Sequence, residues 1–299
     1  MGANSDGLLS DAGSGQRASD FALNLPPLEI SALLRAHGLR PQRDLGQNFL
    51  ADSSILRRIV QAAELPPEAA VLEVGPGLGS LTRWLAAVAR RVVAVELDDH
   101  LLPVLEEVLG GLGNVEIVQG DILRLDPATL MHEDGYFVTA NIPYYITSAL
   151  IRHLLEARVK PRRIVLTVQR EVAERICAVP GEMSLLALSV QMYGRPRVAL
   201  RIPAGAFIPP PRVDSAVVRI DLYEAPPYSE SLREAIFRVA KAGFSQKRKT
   251  LRNALAGGLQ ISPVESGALL EQAGIDPQRR AETLALEEWA ALAQALGLD

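Results

Sequence analysis

Apolar residues from position 71 onward follow two alternating patterns, one typical of buried strands and the other typical of amphipathic helices. Val71, Leu72 and Val74 form one short apolar run, whereas Leu81 and Trp84 are spaced as on one face of a helix. Strand–helix alternation predicts a mostly parallel sheet that is covered by helices on both faces. The predicted strands span residues 71–74, 92–95, 115–118, 136–140 and 163–168, and the predicted helices span residues 80–90, 101–109 and 148–156.

The pattern changes in the last third of the chain. Two further apolar runs, 198–202 and 216–222, lack a full helix between them, which predicts an antiparallel hairpin at the edge of the sheet. Residues 224–230 have the composition of a linker, and the remaining chain has helical spacing only. The fold class is therefore predicted as α/β, a Rossmann-like sheet followed by a small all-helical C-terminal domain. The predicted segments are a disordered tail at 1–24, a sheet domain at 25–225 and a helical domain at 226–299.

Composition narrows the environment in which the protein works. The chain is 48% hydrophobic and 22% charged, and it has no apolar run long enough to span a bilayer. Residues 1–24 lack the basic start and apolar stretch of a secretory signal. Cys177 is the only cysteine, and the four histidines show no ligand-like spacing. We expect a cytoplasmic protein with no membrane association, no disulfide and no metal site.

A glycine-rich loop follows the first predicted strand of the sheet. Gly75, Gly77 and Gly79 allow the backbone to turn sharply and to approach a ligand closely. Their spacing is one residue shorter than the dinucleotide fingerprint, which favours S-adenosylmethionine over a nicotinamide cofactor. A nicotinamide-dependent enzyme remains an alternative at this point, as does a turn without any ligand.

Acidic residues end the next two predicted strands. Glu96 comes about 20 residues after the glycine loop, where a carboxylate accepts hydrogen bonds from ribose hydroxyls. Asp121 follows the third strand and is placed to accept a hydrogen bond from the adenine amino group of a cofactor. Taken singly, Glu96 has the alternative of a solvated strand-end charge and Asp121 that of a helix cap. Because ligands bind beyond the carboxyl ends of parallel strands, three such features in succession predict a cofactor site.

The segment Asn141, Ile142, Pro143 and Tyr144 follows the fourth predicted strand. The amino nitrogen of adenine is a poor nucleophile, because its lone pair is delocalised into the ring. The side-chain oxygen of Asn141 and a carbonyl near Ile142 are suited to accept the two amino hydrogens, and Pro143 stiffens the turn. Tyr144 is suited to stack on the base. The segment predicts methylation of an amino group on a planar base, and its alternative is a strand-end turn with Tyr144 in the core.

Several motifs occur in the order found in one enzyme family, and between them they cover the chain from about residue 31 to residue 289. The chain resembles the ribosomal RNA adenine dimethyltransferases. The motifs are Leu45 to Leu50, Glu73 to Gly79, Glu96, Gly120 with Asp121, Asn141 to Tyr144, and residues 168–173 and 207–215.

The resemblance implies a function and further site residues. Bacterial members of the family transfer methyl groups from S-adenosylmethionine to the 6-amino groups of two adjacent adenines near the 3′ end of 16S small-subunit ribosomal RNA, during ribosome biogenesis. By resemblance, Asn48 and Leu50 contact the cofactor together with Gly75, Gly77, Glu96, Asp121 and Asn141. Phe207 is expected to stack on the target adenine opposite Tyr144. The alternatives are a helix-entry turn for residues 48–50 and a core aromatic for Phe207.

A basic stretch lies in the predicted helical domain. No acidic residue occurs between positions 235 and 264, although the whole chain has a formal net charge of −4. Phosphate contacts from such a surface supply affinity for RNA without reading its sequence. The alternative is a solvated helix face. The predicted RNA-binding residues are Lys241, Lys247, Arg248, Lys249 and Arg252, and a second basic cluster contains Arg152, Arg158, Lys160, Arg162 and Arg163.

We expect as partners the small-subunit ribosomal RNA and the precursor of the small ribosomal subunit, and we expect a monomer. Two rival functions share much of this pattern. The sister group of enzymes methylates one adenine of 23S RNA and confers antibiotic resistance. An assembly factor that acts mainly by binding is the other rival.

Overall fold

The computed structural model describes residues 25–297; the tail predicted at 1–24 lies outside the described residues, as do the last two positions. The strands are β1 (Phe49–Leu50), β2 (Ala70–Val74), β3 (Arg91–Glu96), β4 (Val115–Gln119), β5 (Phe137–Asn141), β6 (Arg163–Gln169), β7 (Gly194–Ile202), β8 (Phe207–Ile208) and β9 (Ser215–Leu222). The helices are α1 (Ile30–Ala36), α2 (Ser53–Ala63), α3 (Ser80–Ala86), α4 (Leu102–Leu109), α5 (Pro127–Met131), α6 (Thr147–Glu156), α7 (Arg170–Ile176), α8 (Leu185–Gln191), α9 (Glu230–Gly243), α10 (Leu251–Leu259), α11 (Pro263–Gln272) and α12 (Leu286–Ala295).

Seven strands form the central sheet in the order β4-β3-β2-β5-β6-β9-β7. The five strands from β4 to β6 run parallel, and β9 and β7 complete the edge in antiparallel pairing. The predicted α/β fold class and its antiparallel edge hairpin are therefore confirmed. The order places the carboxyl ends of β2, β3, β4 and β5 at one edge of the sheet.

Adjacent residues of a single strand enter different hydrophobic clusters, because successive side chains of a strand point to opposite faces. Val71 packs in the cluster that contains α2 and α3, whereas Leu72 packs in the cluster that contains α6. Val165 and Leu166 of β6 divide in the same way. The sheet is thus buried on both faces, which explains the nearly continuous apolar runs of its strands.

The predicted helix at 80–90 is too long at its C-terminal end. The helix ends at Ala86, and the chain then turns, because the backbone N–H of Arg90 donates to the Ala69 carbonyl beside β2. That hydrogen bond places the chain beside β2, where β3 begins.

The four C-terminal helices pack around Trp289, which is fully buried. A Cβ atom on Gly243 would lie 2.5 Å from the Trp289 ring, so only glycine fits where α9 passes this side chain. Leu188 and Met192, from the region of α8, belong to the same hydrophobic cluster. The predicted helical C-terminal region is confirmed, and the domain boundary at residue 225 stays a prediction. Within residues 25–297, no helix is both long enough and apolar enough to cross a membrane.

Candidate active site

A cleft opens at the carboxyl edge of the parallel strands. It is lined by the loops that follow β2, β3, β4 and β5, and by a segment from Leu45 to Leu50 that precedes α2. The structure brings together all seven predicted cofactor-binding residues in its wall: Asn48, Leu50, Gly75, Gly77, Glu96, Asp121 and Asn141. Their assignment to a cofactor stays a prediction, but their convergence follows directly from the parallel topology.

The glycine loop has the backbone conformation that its composition predicts. Gly75, Gly77 and Gly79 all have positive φ angles, between 61° and 81°. A Cβ atom on Gly77 would lie only 3.0 Å from the Phe49 ring, so the loop and the N-terminal segment meet without room for a side chain. The loop can therefore follow the surface of a ligand closely.

Glu96 is buried at the end of β3, and both of its carboxyl oxygens have backbone donors. Oε2 accepts from the Gly77 N–H at 3.0 Å, and Oε1 accepts from the Asp98 N–H at 2.9 Å. Burial raises the pKa of this carboxyl. The contact with Gly77 links the carboxylate to the glycine loop, so the two predicted cofactor features form one unit.

Asp98 ties the N-terminal segment to this unit, a link that the sequence analysis missed. Its Oδ2 accepts from the side-chain amides of Gln47 at 2.7 Å and Gln42 at 2.9 Å. The Gln47 side chain also accepts from the Gln42 backbone N–H at 2.8 Å. We call residues 42–50 the strap. The strap is held across the cleft by a buried carboxylate that lies two residues beyond Glu96.

The Asn141 side chain has a fixed orientation at the end of β5. Its Nδ2 donates to the Asn48 backbone carbonyl of the strap at 3.1 Å. A carbonyl oxygen only accepts hydrogen bonds, so the nitrogen of the Asn141 amide must face it. The side-chain oxygen is then left on the other branch of the amide as an acceptor within the cleft.

Tyr144 begins a short 3₁₀ turn (Tyr144–Ile146) directly after Pro143. Its hydroxyl is hydrogen-bonded to the Ser215 hydroxyl at 2.6 Å, and Ser215 is fully buried at the start of β9. Burial raises the pKa of Tyr144, so the phenol stays protonated at neutral pH. The hydrogen bond holds the ring at the cleft wall, where Ile142 and Pro143 also lie.

Phe207 does not line the cleft in this conformation. It is 2% exposed in β8, where it pairs with Leu50 of β1 and packs in the cluster beneath α2. That environment is the one expected for a core aromatic, the alternative to base stacking. Stacking on a target adenine would require Phe207 to leave this packing, so that role stays a prediction without geometric support here.

Asp121 has a local structural role in addition to its place in the cleft. Its carboxylate accepts from the Leu123 N–H at 3.0 Å and lies 3.4 Å from the guanidinium of Arg124. The side chain remains 35% exposed and lines the cleft. No helix begins at Asp121, because the N-cap of α5 is Asp126, so Asp121 stabilises a turn and is not a helix cap. This local role is compatible with a ligand contact.

Glu73 is a second residue that the sequence analysis did not single out as part of the site. It is 1% exposed within β2, lines the cleft, and its Oε2 has no hydrogen-bond partner among the described residues. Burial raises the pKa of Glu73 to about 8, and the nearby Glu96 contributes in the same direction. Its position inside an apolar strand was the available signal, because a carboxylate there is costly to bury.

Four of the predicted RNA-binding residues, Lys241, Lys247, Arg248 and Lys249, are exposed at the end of α9 and in the loop before α10. Arg252 is half-buried on α10. None of these five forms an ion pair with another residue of the described range. The structure therefore presents them as free positive charge, and their contact with RNA stays a prediction.

The second basic cluster is not a single surface. Arg163 is half-buried in an ion-pair network, with Asp221 at 2.5 Å and Glu64 at 3.2 Å. Arg152 lies 3.8 Å from Glu156 on α6. Arg163 therefore holds the edge of the sheet to the end of α2.

Asp98, Asp99 and His100 lie close enough together to resemble a metal-binding group. The Asp98 carboxylate is already hydrogen-bonded to Gln42 and Gln47, which accounts for its burial without a metal ion.

Comparison with protein families gives one match over most of the chain. The model of the ribosomal RNA adenine dimethylase family matches residues 38–297. A protein of Dehalococcoides mccartyi called ribosomal RNA small subunit methyltransferase A is 47% identical over 262 residues, 87% of this chain and 90% of the relative. A protein of the same name from Pelotomaculum thermopropionicum is 45% identical over 282 residues, 90% of this chain and 96% of the relative.

Two solved structures have the same architecture. The 23S ribosomal RNA methyltransferase ErmE superimposes with a TM-score of 0.69 at 30% identity, over 84% of this chain and 100% of that one. A dimethyladenosine transferase from Plasmodium falciparum superimposes with a TM-score of 0.70 at 26% identity, over 82% of this chain and 95% of that one.

Proposed function

The chain belongs to the ribosomal RNA adenine dimethylase family, and from this premise we propose its reaction. It transfers methyl groups from S-adenosylmethionine to the 6-amino groups of two adjacent adenines near the 3′ end of 16S small-subunit ribosomal RNA, as a step of ribosome biogenesis. The observation that carries this function is the Asn141 amide, because its orientation leaves an oxygen acceptor at the cleft wall beside Tyr144.

The residues of the cleft fit S-adenosylmethionine as methyl donor. Bound there, the cofactor supplies an electrophilic methyl group. Gly75 and Gly77 leave two positions of the loop without side chains at the cleft wall, and a Cβ atom on Gly77 would meet the Phe49 ring at 3.0 Å. Glu96 is suited to accept hydrogen bonds from the ribose hydroxyls, and Asp121 from the adenine amino group of the cofactor. Asn48, Leu50 and Gly75 would complete the enclosure from the strap and the loop.

Asn141 prepares the target nitrogen for attack. In the first transfer its side-chain oxygen and the backbone carbonyl of Ile142 accept the two amino hydrogens of the adenine, and in the second transfer one hydrogen remains for these acceptors. In each transfer the nitrogen–methyl bond forms as the methyl–sulfur bond breaks, and one amino proton is released. Accepting both hydrogens favours a pyramidal nitrogen, whose lone pair is then localised and nucleophilic. Because the Asn48 carbonyl holds the amide in place, this acceptor is preorganised rather than recruited on binding.

Tyr144 orients the base. Stacking on an aromatic ring contributes roughly 1–3 kcal/mol per base and tolerates any base, so it fixes a plane rather than reading a sequence. The Ser215 hydroxyl restrains the Tyr144 ring at 2.6 Å. The target adenine must leave its own stack to reach this position, as in other enzymes that act on bases. Phe207 would stack on the other face of the base only after leaving its packed position in β8.

The basic residues from Lys241 to Arg252 would hold the RNA while the base is in the cleft. Their charge is unpaired among the described residues and therefore available for phosphate contacts, which give salt-dependent affinity. We further propose that the substrate is a precursor of the small ribosomal subunit and that the protein acts as a monomer in the cytoplasm.

The choice of the small subunit over the large one follows the names of the more similar relatives. Two relatives named for the small subunit are 47% and 45% identical, whereas the 23S enzyme ErmE is 30% identical. The test is transfer of labelled methyl groups to purified small subunits and, separately, to 23S RNA. We expect label in the small subunit; label confined to 23S RNA would refute the proposal.

Two further measurements distinguish the proposed methyltransferase from a nicotinamide-dependent enzyme and from an assembly factor. Calorimetry should detect binding of S-adenosylmethionine and no binding of NADH, which a nicotinamide-dependent enzyme would bind. An assembly factor acting only by binding would associate with small subunits and leave them unlabelled.

A further inference from the structure

Tyr145 is an exposed aromatic residue next to the base-stacking Tyr144. Its ring is 62% exposed and lines the mouth of the cleft. It forms no aromatic pair and no cation–π contact with another residue of the described range. An aromatic ring left open to water beside a reaction site is a common platform for a nucleic-acid base.

The two tyrosines point to different sides of the cleft mouth. They are consecutive in a 3₁₀ turn, where successive side chains diverge by about a third of a turn. Tyr144 reaches Ser215 at the start of β9, whereas the Tyr145 ring lies on the strap side, where a Cβ atom on Gly46 would be 3.7 Å from its Cδ1. A base stacked on Tyr145 would therefore lie beside, and not within, the pocket of the target base.

The backbone beneath Tyr145 is restrained from both sides. The Ile146 N–H donates to the Pro143 carbonyl at 3.2 Å, and the Thr147 hydroxyl donates to the Tyr144 carbonyl at 3.0 Å. A Cβ atom on Gly46 would be 3.3 Å from the Pro143 Cβ, so the strap packs closely against this turn. The exposed ring is thus presented by a fixed turn, which lowers the entropy lost when a base stacks on it.

Charge on the strap suits a nucleic-acid strand at this position. The Gly46 N–H donates to the Arg43 carbonyl at 2.9 Å, so Arg43 lies one turn from the contact with Tyr145. Arg43 of the strap and Arg40 just before it are exposed. The nearby carboxylates are Asp44, which is exposed, and Asp98, which is buried and hydrogen-bonded to Gln42 and Gln47. A phosphate beside the stacked base would therefore meet two exposed positive charges and one exposed negative charge there.

We propose that Tyr145 stacks on the nucleotide next to the adenine being methylated, and so forms a second base-binding position at the mouth of the cleft. The proposal rests on the proposed function, because it places an RNA strand across the cleft. Because Tyr145 lies on one side of the pocket and an RNA strand has a fixed direction, the outer position takes the neighbour on that side only, so one of the two adjacent adenines occupies it while the other is in the pocket. Tyr145 then acts as a positioning residue that sets the register of the RNA strand.

The test is single-turnover methylation of small subunits by the full chain, with products resolved for each adenine by mass spectrometry. We expect Tyr145→Ala to slow transfer by about 10-fold, within the range for loss of one base–aromatic stack. Tyr145→Phe should stay within about two-fold of the unaltered protein, since the ring is kept. Tyr145→Leu should resemble Tyr145→Ala, because an apolar side chain without a ring face does not stack.

Small subunits rebuilt with an abasic site in place of either adenine provide the sharper comparison. For one of the two abasic positions, the unaltered protein should lose about 10-fold in transfer to the remaining adenine, whereas Tyr145→Ala should lose little beyond its own deficit. If, at both positions, the abasic site slows transfer by the same factor in the unaltered protein and in Tyr145→Ala, the inference is overturned. Weaker S-adenosylmethionine binding in Tyr145→Ala would also overturn it, since Tyr145 would then serve the cofactor cleft. If the unaltered protein labels no small subunits, the proposed function itself has failed.

Discussion

The cleft at the carboxyl edge of the parallel strands and the basic surface of the C-terminal helices differ in how their polar side chains are held. In and beside the cleft, three polar side chains have defined partners: Glu96 accepts from the glycine loop, Asp98 from the strap, and Asn141 donates to Asn48. On the basic surface, Lys247 and Arg248 are exposed and form no ion pair within residues 25–297. Methyl transfer requires atoms placed to within fractions of an ångström, whereas phosphate contacts require only nearby charge. Substitutions should therefore separate the two regions cleanly.

Asn141→Ala should have the largest effect and act on methyl transfer, not on RNA binding. Removal of one preorganised hydrogen-bonding group costs about 10²–10³-fold in turnover, and Asn141 also anchors the strap, so we expect about 10³-fold or more. Single-turnover methyl transfer measures the loss, and a filter-binding assay measures affinity for small subunits. Near-normal turnover would contradict the mechanism, and a parallel loss of RNA affinity would contradict the separation of the two regions.

The double variant Lys247→Ala/Arg248→Ala should weaken RNA binding and leave the methyl-transfer step unchanged. We expect a 10- to 100-fold loss of affinity for small subunits at low salt, and a salt-dependence slope lower by about 1.4–1.8. The matched control is Arg57→Ala/Arg58→Ala, which removes two exposed arginines from α2. Equal losses in the two double variants would show that only the total charge matters. Binding of S-adenosylmethionine should be unchanged in both.

Asp98→Ala should weaken binding of the cofactor and leave the position of the target base unchanged. Loss of the carboxylate releases Gln42 and Gln47, so the strap is held less firmly and cofactor binding must order it. Because a hydrogen bond to a charged group contributes about 1.5–3 kcal/mol, we expect the Kd for S-adenosylmethionine to rise about 10-fold, with little change in kcat at saturation.

Asp99→Ala is the matched control for Asp98→Ala, since Asp99 is exposed and makes no contact with the strap. Calorimetry with S-adenosylmethionine measures both variants. An unchanged Kd in Asp98→Ala would mean that the strap is held by other contacts.

The effect of Glu73→Gln should be seen as a pH dependence of stability. The pKa of Glu73 is raised from an ordinary value near 4.5 to about 8, so the folded state keeps a proton that the unfolded state loses. The Glu73 contribution to the free energy of unfolding is therefore full below pH 4.5 and falls as pH rises to 8. The loss is at most about 1.4 kcal/mol per pH unit.

Glutamine does not titrate, so Glu73→Gln should gain stability relative to the unaltered protein between pH 5.5 and 7.5. Urea unfolding of both proteins at the two pH values, without cofactor, measures the difference. A difference that does not change with pH would mean that Glu73 is ionised in the folded protein.

The site residues that could be predicted from sequence are those that directly follow the ends of strands. Glu96, Asp121 and Asn141 were predictable together, because parallel strands bring their carboxyl ends to one edge. The Asp98 link was not, since its partners Gln42 and Gln47 lie more than fifty residues earlier and form no periodic pattern. Phe207 is buried because β8 pairs with β1, a contact across more than 150 residues that no local pattern indicates. Motif order identifies chemistry, and long-range pairing decides which side chains face the cleft.

The most direct test of the proposed reaction is mass-spectrometric mapping of methylated nucleotides after incubation of small subunits with the protein and S-adenosylmethionine. The proposed function predicts dimethylated 6-amino groups on two adjacent adenines near the 3′ end of 16S RNA, formed about 10³-fold more slowly by Asn141→Ala. Methylation at another nucleotide, or on 23S RNA alone, would contradict it.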